Sequence, residues 1–306
     1  MKLLITGARG MVGKNLIESP ELSRYEILQP SRAELDLSSR EQVESYLEKQ
    51  RPDFVVHAAG RVGGIQANIK NPVAFLVENV DINRNLIGSC YKLGIKKLIN
   101  LGTSCMYPRN AENPLKESMI LQGELEPTNE GYAIAKVMAQ RLCQYIMKED
   151  STFQFKTMIP CNLYGRFDHF DPQNSHLIPA VVRKVDDAKK TGATEVEIWG
   201  DGEARREFMY AGDLAECIAM GIKNFDSLPV LMNVGLGIDY SVNEYYKAVA
   251  EVIGYRGGFA HDLTKPVGMK RKLVSTEVAQ QWGWKSKTSL HQGIEKTYAY
   301  YLNLPQ

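Results

Sequence analysis

The chain has 306 residues, 44% of them hydrophobic and 24% charged, with 37 basic residues against 36 acidic ones. This composition excludes the disordered, collagen-like and coiled-coil classes and is typical of one large or two modest globular domains. A formal charge of +1 argues against nucleic acid or an anionic membrane surface as the main partner, because both are held by a net basic surface. No apolar run approaches the ~18 residues that a membrane-spanning helix requires, and the N-terminus does not resemble a signal peptide.

The five cysteines are odd in number and widely scattered. They form no CxxC pair and no Cys/His group with the spacing of a zinc site. We therefore expect no metal site, thiols that are mostly small buried apolar groups, and a soluble protein of the reducing cytoplasm.

In the first half of the chain, short apolar runs alternate with amphipathic stretches. Strands are predicted at 3–5, 25–28, 54–57, 97–101 and 156–159, and helices at 11–19, 40–50, 73–93 and 132–148. Such alternation predicts right-handed crossovers and a parallel sheet, and the near-continuous hydrophobicity of the strands indicates burial on both faces. We expect an α/β fold with a Rossmann-type doubly wound parallel sheet.

After Pro160 the pattern becomes looser. Long loops are expected at 166–175 and 257–272, and irregular elements at 177–190 and beyond 281. This is typical of a smaller lobe that faces a ligand. We predict a larger domain at 1–160 and a smaller C-terminal α/β lobe at 161–306, sharing one core.

A glycine-rich turn follows the first predicted strand and opens the first predicted helix. It reads Thr6-Gly7-Ala8-Arg9-Gly10-Met11-Val12-Gly13, with the spacing GxxGxxG. Glycines let the chain turn sharply and let the backbone approach a pyrophosphate at the start of a helix. The same string also serves as a plain strand-to-helix turn. Its position favours a dinucleotide site formed by Gly7, Arg9, Gly10, Met11, Val12 and Gly13.

The residues after the second predicted strand indicate which dinucleotide binds. Dehydrogenases that use NAD commonly have an acid there, which accepts hydrogen bonds from the ribose 2′-hydroxyl. Here the strand runs into Gln29-Pro30-Ser31-Arg32, without an acid at its end. The guanidinium groups of Arg9 and Arg32 suit a 2′-phosphate, which favours NADPH/NADP over a reading of both as solvated surface arginines. The remaining predicted cofactor positions are Asp36, Leu37, Ala58, Ala59 and Gly60.

A tyrosine and a lysine, Tyr132 and Lys136, stand four residues apart in a predicted helix and therefore share one helical face. A nearby cation favours the phenolate, so we expect Lys136 to lower the pKa of Tyr132 from about 10. Such a pair can pass a proton to a carbonyl oxygen while hydride reaches its carbon. The pattern YxxxK alone occurs by chance, but behind a Rossmann-type turn it indicates carbonyl reduction.

These motifs, together with Thr103-Ser104-Cys105-Met106-Tyr107-Pro108, resemble the extended short-chain dehydrogenase/reductase superfamily. Further segments are similar to the GDP-L-fucose synthase family of 3,5-epimerase/4-reductases, and they lie at 62–65, 125–130, 162–165, 174–180, 199–202 and 206–208. The resemblance extends to about Trp284. It implies an NADPH-dependent enzyme that converts GDP-4-keto-6-deoxy-D-mannose to GDP-L-fucose, and a homodimer paired through the helices at 73–93 and 132–148.

The resemblance assigns five catalytic positions. Tyr132 corresponds to the proton donor at the substrate carbonyl, and Lys136 to the residue that binds the nicotinamide ribose. Thr103 corresponds to a hydroxyl residue, more often serine, that hydrogen-bonds this carbonyl, and Cys105 and His176 to the acid/base pair of two epimerisations. The chemistry agrees, because a C4 ketone acidifies the hydrogens at C3 and C5 and both groups titrate near neutrality. Considered alone, Cys105 would be a small buried residue and His176 a loop histidine.

The resemblance also implies substrate contacts in the second half. Arg206 and the Arg271-Lys272 pair correspond to positions near the diphosphate and sugar, although basic pairs are usually solvated surface charge. The predicted substrate-binding residues are Asn162, Lys184, Trp199, Arg206 and Lys272.

Several positions depart from the family pattern. Thr103 replaces Ser, and Gly131, Lys270 and Ser275 stand where Pro, Pro and Asp are expected. Two sister activities on the same scaffold therefore stay open. One is a GDP-L-colitose synthase, which epimerises once and then reduces a GDP-4-keto-3,6-dideoxymannose, and the other is a C4-reductase of a GDP-4-keto-heptose.

Other classes of protein with this fold are disfavoured by the site residues. A nucleotide-sugar 4,6-dehydratase resembles Thr-Asp-Glu where this chain has Thr103-Ser104-Cys105, and a 4-epimerase would not need Cys105 or His176. A non-catalytic dinucleotide sensor characteristically lacks the tyrosine–lysine pair. Fold alone would not separate these classes.

Overall fold

The computed structural model describes residues 1–171, 175–265 and 269–304, so that Asn174 of the family-like segment 174–180 lies outside the described residues. Strands and helices alternate in the first half: β1 (Lys2–Thr6), α1 (Met11–Ile17), β2 (Glu26–Leu28), α2 (Arg40–Gln50), β3 (Phe54–His57), α3 (Ile65–Lys70), α4 (Pro72–Lys92), β4 (Lys97–Leu101), α5 (Glu130–Glu149) and β5 (Gln154–Pro160). The strands and helices predicted in this half are confirmed to within two residues at each end.

The second half contains shorter strands between helices. They are β6 (Asn162–Tyr164), α6 (Leu177–Thr191), β7 (Glu195–Trp199), β8 (Arg205–Arg206), β9 (Phe208–Tyr210), α7 (Ala211–Lys223), β10 (Leu231–Val234), β11 (Tyr240–Ser241), α8 (Val242–Ile253), β12 (Gly258–Asp262), β13 (Arg271–Lys272), α9 (Glu277–Gln281) and α10 (Leu290–Leu302).

The large sheet has six strands in the order β10-β5-β4-β3-β1-β2, and all its neighbouring strands pair in parallel. Alternate residues of β1 are buried on opposite faces of this sheet. Leu3 and Ile5 pack with residues of α1 and α7, whereas Leu4 packs with residues of α2, α4 and α5. Burial on both faces explains the continuous apolar runs. The predicted Rossmann-type parallel sheet is confirmed.

The chain after Pro160 is more regular than predicted. Residues 177–190 are not irregular but form one helix, α6, because Val181, Val182, Val185 and Ala188 are buried at helical spacing. The expected irregular region beyond 281 contains α10, whose first turn is capped by the Ser289 side chain accepting from the Gln292 amide.

The expected loop at 257–272 is also wrong in part, because it contains β12 and β13. β12 pairs with β7 and β13 pairs with β8, both in parallel. Neither β12 nor β13 has a clear alternation of apolar and polar residues. Backbone pairing with β7 and β8 stabilises their extended conformation.

The second half is not confined to a separate lobe. β10 completes the large sheet and α7 packs against α1, while α6, α8 and α10 surround a second apolar core. The division at residue 160 stays a prediction. Within the described ranges, no helix combines the length and the apolar character needed to cross a membrane.

Candidate active site

A cleft of about 850 Å³ lies where the parallel strands β1, β3, β4 and β5 end. Carboxyl ends of such strands are where ligands bind in open α/β sheets. The cleft is lined by every predicted cofactor position, namely Gly7, Arg9, Gly10, Met11, Val12, Gly13, Arg32, Asp36, Leu37, Ala58, Ala59, Gly60 and Lys136. It is also lined by the other predicted catalytic residues, Thr103, Cys105, Tyr132 and His176.

The glycine-rich turn packs tightly against the end of β3. Gly7 has φ +71°, and a Cβ there would lie 2.8 Å from the carbonyl oxygen of Ala58. At Gly13 a Cβ would lie 2.4 Å from the carbonyl oxygen of Gly7. Helix α1 begins without a side-chain cap and without an acid in its first turn. The turn therefore leaves backbone N–H groups for a phosphate and accepts only glycine at these positions, which fits a dinucleotide.

Two arginines lie exposed at the end of the cleft beyond β2. Among the described residues, neither Arg9 nor Arg32 has a carboxylate within 4.0 Å. The nearby acids are engaged locally: Glu34 accepts from the Ser31 amide, and Asp36 accepts from Ser38. Both guanidinium groups are thus available to an anionic group entering the cleft.

Lys136 is buried under the cleft with 4% of its surface exposed. Its ammonium donates to the carbonyl oxygen of Leu101 over 2.8 Å. Burial lowers the pKa of Lys136 to about 8. The bond ties α5 to the end of β4, from which Thr103 follows.

Tyr132 and Thr103 are hydrogen-bonded through their side chains. The expected lowering of the tyrosine pKa is not found: burial raises the pKa of Tyr132, the charge of Cys105 adds to this, and only the bond from Thr103 opposes it. Desolvation of the phenolate outweighs this hydrogen bond. Tyr132 is therefore a neutral phenol, ready to donate its proton.

Cys105 is half-buried, and two donors contact its sulfur. The Asn129 Nδ2 donates over 3.2 Å and the Lys272 Nζ over 3.3 Å. The other four cysteines are buried, and all five are free thiols. An amide and an ammonium thus both donate to this sulfur.

His176 stands at the start of α6 and lines the same cleft. Burial lowers the pKa of His176, and the positive charge of Lys272 adds to the effect. The imidazole is therefore neutral near pH 7. Thiol, imidazole, phenol and ammonium thus share one cavity. No group of three or more His, Cys, Asp or Glu side chains suited to a metal occurs in the described part of the chain.

The predicted substrate-binding residues do not all line the cleft. Asn162 lines the cleft and donates to the carbonyl oxygen of Glu207 over 3.1 Å. Lys184 and Trp199 lie beside each other outside the cleft, with the ammonium 5.4 Å from the ring centroid. Arg206 is half-buried and donates to the Arg205 carbonyl oxygen. Substrate contact for these residues stays a prediction.

Arg271 binds within the protein. The carboxylate of Asp239 accepts from Arg205 over 2.8 Å and from Arg271 over 2.5 Å. This buried carboxylate joins β8 to β13, and its pKa is lowered by the two guanidinium groups even though burial opposes this. Lys272 is thereby held with its side chain toward Cys105.

Sequence reasoning did not single out Asn129, Asp168 and Ser175. All three line the cleft. Each has a buried polar atom that makes no hydrogen bond with any described residue: Asn129 Oδ1, Asp168 Oδ2 and Ser175 Oγ. Burial also raises the pKa of Asp168 to about 7. Asn129 and Ser175 lie in the family-like segments 125–130 and 174–180, which was an available signal, whereas Asp168 is brought to the cleft only by the fold.

Comparison with known proteins places the chain among sugar-nucleotide enzymes. The model of the NAD dependent epimerase/dehydratase family matches residues 3–235. GDP-L-colitose synthase of Yersinia pseudotuberculosis is 55% identical over 303 residues, 99% of this chain and 98% of that relative. GDP-L-fucose synthase of Azorhizobium caulinodans is 50% identical over 301 residues, 98% of this chain and 96% of that relative.

Among solved structures, a GDP-mannoheptose C4 reductase from Campylobacter jejuni with NADP bound superposes with a TM-score of 0.89 at 29% identity. The superposition covers 99% of this chain and 98% of that one. The sequence matches extend over the cleft and over both halves of the chain. This protein belongs to the NAD dependent epimerase/dehydratase family, in the group that includes the GDP-L-colitose and GDP-L-fucose synthases.

Proposed function

We propose that this enzyme epimerises and then reduces a GDP-4-keto-deoxymannose, with NADPH as the reductant. The observation that carries the proposal is the placement of Cys105 and His176 in one cleft with Thr103, Tyr132 and Lys136. Reduction alone would need only the last three residues. A thiol and an imidazole beside them supply the additional acid/base chemistry that inversion of configuration requires.

In the reduction, Tyr132 is the proton donor to the oxygen at C4. Its raised pKa keeps the phenol protonated until negative charge develops on that oxygen. Thr103 binds the same oxygen, and Lys136 fixes the position of α5 through Leu101 and contacts the cofactor ribose. NADPH supplies the hydride when bound.

In the epimerisation, the C4 ketone makes the hydrogens on C3 and C5 acidic. In each inversion one of Cys105 and His176 acts as the base and removes the proton from one face of the sugar. The other, protonated from solvent for that step, delivers a proton to the opposite face. Thr103 and Tyr132 stabilise the enolate formed between the two steps, because both aim hydroxyl groups at the oxygen where charge develops.

The cofactor site fits NADPH. The close-packed turn around Gly7 and Gly13 suits a pyrophosphate, and the uncommitted Arg9 and Arg32 suit a 2′-phosphate. The related C. jejuni reductase was solved with NADP bound, which supports the same choice here.

Two products are candidates. GDP-L-fucose requires the 6-deoxy substrate and inversion at C3 and C5, and a relative that makes it is 50% identical. GDP-L-colitose requires the 3,6-dideoxy substrate and inversion at C5 alone. It is the second candidate, supported by the 55% identity to a synthase of that product. A GDP-4-keto-heptose is a third substrate class, supported by the fold match at 29% identity.

The test supplies each GDP-4-keto sugar with NADPH in deuterated water and assigns label and configuration by NMR. Deuterium at C3 and C5 with a fucose product supports the 6-deoxy substrate. Label at C5 only, with faster turnover of the dideoxy sugar, supports the colitose product. Reduction without any label would leave Cys105 and His176 without a catalytic role and contradict the proposal.

We also propose a cytoplasmic homodimer. Helices α4 and α5 pack side by side and expose apolar side chains, among them Val77 at 49% and Ile134 at 42%. Pairing of these two helices with those of a second copy would bury them in a four-helix interface. Five free thiols accord with a reducing compartment.

A further inference from the structure

The sulfur of Cys105 receives two hydrogen bonds from parts of the chain that are far apart in sequence. Asn129 lies 24 residues away, and Lys272 lies 167 residues away on β13. The Asn129 side chain does not cap α5, the helix that it precedes. Its amide donates to the thiol instead, and so does the ammonium of Lys272.

Lys272 is an unusual partner for a thiol because it is buried with 8% of its surface exposed. Among the described residues, no carboxylate lies within 4.0 Å of its ammonium. The neighbouring buried acid, Glu207, accepts hydrogen bonds from the amides of Gly237 and Val274 instead. A buried ammonium without a carboxylate is stabilised by whichever neighbour takes a negative charge, and the atom in contact with it is the Cys105 sulfur.

The other titratable groups that face this pair do not supply that charge. Burial raises the pKa of Tyr132, so its phenol is neutral. His176 is neutral as well, because burial and Lys272 lower its pKa, with a smaller contribution from His169. The ammonium of Lys272 is thus the charged group in direct contact with the sulfur.

We propose that Lys272 and Asn129 are positioning residues that hold Cys105 as the thiolate, ready to act as the base in epimerisation. The role of Cys105 as the base rests on the function proposed above. The cation stabilises the negative sulfur, and the amide of Asn129 fixes its direction. The buried Oδ1 of Asn129, which has no hydrogen-bond partner among residues 1–171, 175–265 and 269–304, is left to accept a hydroxyl group of the sugar.

The test measures the reactivity of the thiol in the full-length protein without any sugar nucleotide. Iodoacetamide is added between pH 5.5 and 10. The thiolate attacks its methylene carbon and iodide leaves, and the modified peptide is quantified by mass spectrometry. Cys105→Ser provides the background from the four buried cysteines. We expect native Cys105 to react with a midpoint below the ordinary thiol value of about 8.5.

Loss of the cation should move this midpoint upward. Lys272→Met should raise it by about one pH unit or more, which lowers the alkylation rate at pH 7 about tenfold while leaving the rate at pH 10 unchanged. Lys272→Arg should retain most of the native profile. Asn129→Asp, which replaces the donor by a carboxylate, should also raise the midpoint and tests the proposal independently if Lys272→Met does not fold.

Lys270→Met is the matched control, because it removes the same charge from an exposed position two residues away and should leave the midpoint unchanged. If the profiles of Lys272→Met and Asn129→Asp coincide with the native one, the proposal is wrong and Lys272 acts on substrate alone. Because no sugar is present, this result is independent of the labelling experiment that tests the proposed function.

Discussion

The ammonium of Lys136 donates a hydrogen bond to the carbonyl oxygen of Leu101 over 2.8 Å, which joins helix α5 to the carboxyl end of strand β4. Thr103 follows that strand end and Tyr132 lies in the first turn of the helix. The bond therefore helps to position the Thr103 and Tyr132 hydroxyl groups, which we propose to bind the substrate carbonyl. It also satisfies a charge that is almost fully buried.

Lys136→Met should separate this positioning role from stability. Methionine has a similar shape and no charge to desolvate, so the free energy of unfolding should change by less than about 1 kcal/mol or rise. Reductase activity should fall by at least about 10²-fold, since Tyr132 and Thr103 lose their alignment and the cofactor ribose loses a donor. Urea unfolding measures the stability and NADPH oxidation measures the activity. A loss of stability large enough to account for the loss of activity would contradict the positioning role of Lys136.

Tyr132→Phe should abolish the proton donor while keeping the ring. We expect NADPH oxidation to fall by about 10²–10⁴-fold, because no positioned acid remains for the developing alkoxide. Deuterium exchange at C5 should persist at a reduced rate, since Cys105 and His176 are unchanged and Thr103 still stabilises the enolate. The control is Tyr145→Phe, an exposed tyrosine on the same helix, which should be silent in both assays.

Cys105→Ser should have the opposite pattern. Inversion of configuration should stop, because a serine hydroxyl is far too weakly acidic to serve as the base near pH 7. The ketone should remain reducible with NADPH, and the product should keep the configuration of the substrate at C3 and C5. NMR of the product tests this, and an inverted product formed at the native rate would exclude Cys105 from the proton transfers.

Arg32→Ala should alter the choice of cofactor. Loss of a charge-assisted contact to the 2′-phosphate should lower kcat/KM for NADPH by about 10-fold or more, while kcat/KM for NADH changes little. Arg40→Ala, at the start of α2 where the arginine pairs with Glu44, is the control. Comparable kcat/KM values for the two cofactors in the native enzyme would show that Arg9 and Arg32 do not select NADPH.

The homodimer should depend on the exposed faces of α4 and α5. Val77→Asp places a charge on that face and should produce a monomer at micromolar concentration by light scattering. Val230→Asp is matched to it, because the two valines are 49% and 47% exposed and Val230 lies on neither helix. A native protein that is already monomeric would refute the assembly.

Much of this fold follows from local patterns in the sequence. The apolar runs of β1 and β3–β5, the glycine turn and the spacing of Tyr132 and Lys136 are each visible within a few consecutive residues. For such elements the local pattern is sufficient, even though their partners in the fold lie far away in the chain. The region after Pro160 was less predictable, since β12 and β13 are extended only because β7 and β8 pair with them.

The sequence by itself determined which reactive groups the protein has, and the tertiary structure decided how they are tuned. Thr103, Cys105, Tyr132 and His176 are recognisable in the chain, but the direction of the Tyr132 pKa is not, because burial rather than the nearby lysine governs it. The contact between Lys272 and Cys105 spans 167 residues and depends on the pairing of β13 with β8, which the ion pairs of Asp239 reinforce. Desolvation and long-range ion pairing depend on what packs around a group, and that is a property of the folded chain alone.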